Sequence, residues 1–119
     1  MKRIFLLIIL SSCSLEEPFN ERPYPKVETI SAVHFGSSVT FNAKVTYKPE
    51  LIISHGFRWT KNGDPINGVY ASISFGSLIE KSYSHTIVAP KKRNEYDYFV
   101  VRAYIESSEY TFYGKPLFY

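Results

Sequence analysis

The chain has 119 residues, which by domain-size priors is one domain, and its ten Tyr and nine Phe with few helix-forming runs favour strands. The formal charge is +3, but without Lys2 and Arg3 at the extreme N-terminus twelve cations face eleven anions, so no global charge draws the body of the protein to nucleic acid. A single Cys excludes an internal disulfide framework and a multi-cysteine metal site.

Met1-Lys2-Arg3 is a short basic start, and residues 4–10 are an unbroken apolar run. That run is far short of the roughly 20 residues a spanning helix needs, and it fits the apolar part of a secretory signal. Leu10-Ser11-Ser12-Cys13 follows at once. Here the chain resembles a bacterial lipoprotein precursor, whose lipobox sets Leu three positions before an obligatory Cys, with small residues between. The resemblance implies a signal peptide over residues 1–12, cleavage before Cys13 and lipidation of Cys13. Stable anchoring needs more than one acyl chain, because one gives only marginal membrane binding. Residues 13–26 then form the lipid anchor and a tether, in which Pro18, Pro23 and Pro25 disfavour helix. Ser14 stands where Asp commonly signals inner-membrane retention, so the implied address is the outer membrane, on its periplasmic face or at the cell surface. Glu16 and Glu17 resemble the acidic signal of some surface-exposed lipoproteins, and they equally suit a solvated linker.

The body reads as strands. Residues 27–33 make a first strand with poor alternation, ended by the turn at Gly36-Ser37-Ser38. Val39, Phe41, Ala43, Val45 and Tyr47 then alternate with Thr40, Asn42, Lys44 and Thr46, as in a half-buried strand, and Lys48-Pro49-Glu50 ends it. Residues 52–61 put His55, Phe57 and Trp59 on one face. Asn62-Gly63 and Asn67-Gly68 are turn dipeptides with Asp64-Pro65 between them. Residues 69–75 and 83–88 read as two further strands, and Pro90 to Asn94 as a charged connection.

Residues 96–105 carry Phe99, Val101, Ala103 and Ile105 on one face and Tyr98, Val100, Arg102 and Tyr104 on the other. A strand this apolar on both faces is expected to be central in its sheet. Residues 110–119 close the chain, and Pro116 demotes that segment to an edge. About seven strands at spacings of roughly 8 to 12 residues predict an all-β sandwich over residues 27–119. Phe41, Val45, Phe57, Trp59, Val101 and Ala103 are the expected core.

Four motifs carry a second resemblance. Gly56-Phe57-Arg58-Trp59-Thr60, Val101-Arg102-Ala103-Tyr104, Tyr113-Gly114 and the run from Val39 to Val45 occur in the order found in fibronectin type III-like modules of Gram-negative surface lipoproteins. They resemble strands C, F, G and B of that family, an immunoglobulin-like sandwich of seven strands. The connection from Ala89 to Glu95 is more basic than the family's short turn. Phe99 stands where the family offers a Tyr whose hydroxyl pins the corner, so Tyr96 or Tyr98 supplies that bond or it is absent.

No motif for catalysis stands out. His34, His55 and His85 have no metal-ligand spacing, no nucleophile elbow supports a triad with Asp64 or Asp97, and no glycine loop cradles phosphate. The expectation is therefore a protein without enzymatic activity, cofactor or metal. The implied anchor, the tether and the fold resemblance imply an adhesion or interaction module for a protein partner, and the surplus of aromatics marks a candidate face of Tyr98, Val100, Arg102, Tyr104 and Tyr113. Glycan capture by stacking on those rings, or a spacer role in an envelope assembly, are the alternatives. Cross-strand pairing of the tyrosines is the purely structural account.

Overall fold

The computed structural model describes residues 24–48 and 51–119. The expected signal peptide, Cys13, the tether up to residue 23 and the turn residues Pro49 and Glu50 lie outside the described residues.

Eight strands follow one another: β1 (Lys26–Phe35), β2 (Ser38–Tyr47), β3 (Ser54–Lys61), β4 (Ala71–Ser74), β5 (Ser82–Val88), β6 (Phe99–Glu106), β7 (Thr111–Tyr113) and β8 (Leu117–Phe118). No helix occurs among the described residues. One antiparallel sheet has the order β1-β2-β5 and the other β4-β3-β6-β7, with β8 also pairing β6. The result is an all-β domain of two sheets, compatible with an immunoglobulin-like β-sandwich.

The count is eight strands because the predicted segment 110–119 is split. Tyr113 pairs Tyr104 and Leu117 pairs Val101, so one extra residue bulges between β7 and β8. Pro116 lies in that gap, where its missing N–H costs no ladder bond.

The core is shared by the two sheets. Val39, Phe41, Ala43 and Val45 of β2 meet Phe57 of β3 and Val101, Ala103 and Ile105 of β6, with Val27 and Ile52 completing the cluster. The Phe41 ring lies 5.6 Å from those of both Phe57 and Trp59. The expected core holds except at Trp59, which is half-buried and packs against the cluster from its margin. Trp59 sits near the end of β3, where the sheets open into a cleft.

Two side chains tie the layers. Thr29 of β1 is fully buried, and its hydroxyl accepts the Ala103 amide of β6 at 3.0 Å. The register of β1 against β2 shifts between Thr29 and Ser31. Inward positions therefore move from Val27 and Thr29 to Ala32, which is why alternation along this strand is poor in the sequence. Tyr83 of β5 donates its hydroxyl across the interior to the Gly56 and Tyr104 carbonyls, 3.1 Å from each. Burial raises the pKa of this phenol well above its ordinary value.

β1 also gives the domain two poles. The strand starts at Lys26, opposite Tyr47, and reaches the β1–β2 turn after Phe35. Ten strand residues span about 30 Å. The antiparallel pairings gather the end of β3, the end of β5, the start of β6 and the end of β8 at the Phe35 pole.

Candidate functional site

The strand expected over residues 96–105 begins at Phe99, and the two residue sets predicted for its faces do separate as expected. Phe99, Val101, Ala103 and Ile105 point into the buried interior. The opposite face is not open surface, however. Val100 and Tyr104 are each only 3% exposed, which corrects the picture of an accessible aromatic face.

The cover comes from neighbouring strands and from the β3–β4 connection. Arg102 stands opposite Arg58 in the β3–β6 register. Its Nε and Nη2 donate to the two Asp64 carboxylate oxygens at 2.8 and 2.9 Å, and its Nη1 donates to the Gly114 carbonyl at 2.8 Å. A fork on a carboxylate is the strongest common geometry for such a pair. The Arg102 hydrogen bond is the main reason the Asp64 carboxyl lies below its ordinary pKa. Pro65, next along the connection, is fully buried.

Arg58 has aromatic company instead. Its guanidinium carbon lies 4.6, 5.0 and 5.3 Å from the ring centres of Tyr70, Tyr104 and Tyr113, and its Nη1 donates to the Tyr113 hydroxyl. Burial raises the Tyr113 pKa, and the Arg58 charge opposes that rise. Cation–π contact and stacking hold such an arginine without a carboxylate. The Tyr104 hydroxyl donates to the Ile73 carbonyl at 3.3 Å. Arg102 and Tyr113 are half-buried in this arrangement, and only Tyr98, 44% exposed and 5.9 Å from the Phe118 ring, presents much surface. The structure thus brings Arg102, Tyr104 and Tyr113 together as a self-contained layer and leaves Tyr98 apart.

The corner before β6 is pinned by Asp97, not by a tyrosine hydroxyl. Its Oδ1 accepts from Asn62 Nδ2 at 3.0 Å, and its Oδ2 accepts from the backbone amides of Arg93 at 2.8 Å and Asn94 at 3.2 Å. Lys61 Nζ approaches the same oxygen at 3.2 Å. Asn62 answers with its own Oδ1, which accepts the Tyr98 amide at 2.8 Å, and adopts a positive φ of 55° that Asn tolerates well. These bonds, led by that from Asn62, hold the Asp97 carboxyl far below the usual carboxylate range. No local sequence pattern marks Asp97 as the residue that pins this corner, because its partners Lys61 and Asn62 lie more than thirty positions away.

Beside this clasp, between the free edges of β4 and β5 at the Phe35 pole, lies an open cleft of about 580 Å³. Trp59, Phe99 and Tyr119 line its deeper part, with the Phe99 and Tyr119 rings 5.8 Å apart. Lys61, Lys91 and Arg93 also line it, while no Asp or Glu does. Lys61 is engaged by Asp97, whereas Lys91 and Arg93 are exposed and not ion-paired among the described residues. In the sequence Lys91 and Arg93 stand in a charged connection and Trp59 among the expected core. Nothing local shows that antiparallel pairing brings them together.

The three histidines stay apart. His55 is buried with Nδ1 2.8 Å from the Gly76 carbonyl, His85 packs 5.8 Å from Trp59, and His34 is exposed on β1. No cluster of His, Cys, Asp and Glu suited to a metal ion occurs among the described residues. Comparison with known proteins returned no matching family model, no matching curated protein and no matching solved structure.

Proposed function

We propose that the protein is a lipid-anchored envelope protein, held in the bacterial outer membrane through Cys13, whose fibronectin type III-like sandwich is a non-catalytic adhesion or interaction module. The observation that carries this reading is the polarity of β1. The expected anchor precedes Lys26, whereas the cleft and its basic loop lie about 30 Å away at the Phe35 pole. A tethered module of this shape offers its far end to a partner. Arg58, Arg102, Tyr104 and Tyr113 are occupied with one another and with Asp64 and Tyr70, which supports a structural role for the outer sheet face and moves the binding surface to the loops.

The test is recovery of envelope components by the full-length protein, compared with Lys91→Glu/Arg93→Glu and with Tyr98→Ala. Loss with the loop variant and retention with Tyr98→Ala is the expected pattern. Equal recovery by all three would remove the Phe35 pole from the account.

A second reading, glycan capture, is favoured by the half-buried indole of Trp59 beside Tyr119 in a concave site. Amphipathic rings exposed on one side suit the apolar faces of sugars.

A further inference from the structure

We infer that the cleft between the β4 and β5 edges binds an anionic saccharide, a sugar ring bearing a carboxylate or a sulfate. This rests on the glycan-capture reading and names its ligand class. The cleft volume of about 580 Å³ lies within the range of small-ligand sites. Its chemistry is divided in the way such a ring requires. The half-buried Trp59 and Tyr119 give apolar ring surface within, over the buried Phe99, and these two rings are braced from behind: Phe41 lies 5.6 Å from Trp59 and 5.0 Å from Tyr119. Lys91 and Arg93 give positive charge on the exposed loop above.

Charge complementarity selects the anion. The lining side chains include three cations and no Asp or Glu, and Asp97, which fixes the loop, is already committed to Asn62, to two backbone amides and to Lys61. Lys91 and Arg93 remain for a ligand. An Arg fork matches a planar carboxylate or a sulfate.

The loop is also set in advance. Asp97 holds the backbone amide of Arg93 itself at 2.8 Å, so the origin of the Arg93 side chain is fixed before a ligand arrives, and less ordering is needed on binding. Concavity favours a sugar over an anionic bilayer. A flat headgroup surface would meet the exposed Phe35 and Val88 first and leave the deeper indole untouched.

Trp59 is the sole tryptophan, so its emission reports on the site directly. Full-length protein in nonionic detergent is titrated with a hyaluronan tetrasaccharide, a heparin tetrasaccharide and neutral cellotetraose. Calorimetry is run in parallel for a ligand that leaves the emission unmoved.

The expected result is saturable binding of at least one acidic oligosaccharide, weakened about tenfold or more in Lys91→Glu/Arg93→Glu, as loss of charge-assisted contacts implies. Both substituted side chains are exposed, so the core is untouched. Binding of hyaluronan alone assigns a carboxylate, and binding of heparin alone assigns a sulfate. Equal binding of cellotetraose, or equal binding by the variant, would overturn the anionic assignment while leaving glycan capture standing. Silence with all three sugars would overturn both. Co-sedimentation with phosphatidylglycerol vesicles, abolished in the variant and without any sugar response, would overturn it in favour of a lipid surface.

Discussion

The Asp97 carboxylate accepts a hydrogen bond from the Asn62 side chain at 3.0 Å and so joins the connection after β3 to the connection before β6. Asn62 returns two backbone contacts to Tyr98, accepting its amide at 2.8 Å and donating its own amide to the Tyr98 carbonyl at 2.8 Å. This reciprocal clasp fixes the pole at which the cleft lies.

The clasp should make the fold sensitive to acid. The folded pKa of Asp97 is depressed below the unfolded value of about 3.9, so the unfolded state binds more protons between the two values. Stability from Asp97 is therefore complete above about pH 5 and is lost as pH falls through the folded pKa. Urea midpoints of the wild type and Asp97→Asn should differ at neutral pH and converge in acid. A gap that stays constant down to the acid limit would deny the carboxylate this role.

The Asp64–Arg102 fork should contribute modestly, because Asp64 is part-exposed. A double-mutant cycle with Asp64→Ala and Arg102→Ala should give a coupling of about 1 kcal/mol, smaller at high salt. A coupling indistinguishable from zero at low salt would mean that the β3–β4 connection does not rest on the outer sheet face.

Two glycines are required by close approach of backbones. A Cβ on Gly56 would lie 1.8 Å from the Ile73 carbonyl oxygen, and one on Gly114 would lie 2.7 Å from the Thr29 amide nitrogen. Alanine at either site should destabilise by at least about 2 kcal/mol, since strand backbone has to move. At Gly63 the nearest atom would be 3.8 Å away, so Gly63→Ala should be close to neutral. Similar denaturation midpoints for all three variants would contradict the β3–β4 register at Gly56 and the approach of β1 to Gly114.

Tyr83→Phe removes the hydroxyl that crosses between the sheets. The expected loss is about 1 to 2 kcal/mol, because two carbonyl oxygens lose a donor in a largely buried setting. Its raised pKa adds a sign. The contribution is present below the unfolded tyrosine value of about 10 and is lost as pH rises beyond it, so the wild type and Tyr83→Phe should converge in alkali.

The strands that period-two alternation makes plain are the ones buried on at least one full face. β2 shows it from Val39 to Val45, and β6 shows its two-sided burial from Phe99 to Ile105. The bulge in β1 is hidden because it depends on Thr29 reaching Ala103, a residue 74 positions away. Asn62-Gly63 and Asp64-Pro65 mark a change of direction but not the sheet face onto which the chain folds. That face is set by the Asp64–Arg102 pair, 38 residues apart. For the same reason the tyrosines around Arg58 read as free surface in the sequence, and the cleft does not read at all. Its rings and cations come from β3, from the β5–β6 connection, from β6 and from the last residue, Tyr119.

The proposed lipid anchor underlies the functional reading, and incorporation of labelled fatty acid into the protein expressed in a Gram-negative bacterium tests it most directly. The account predicts label in the wild type and none in Cys13→Ala. Label retained after that substitution, or absent from the wild type, would contradict it.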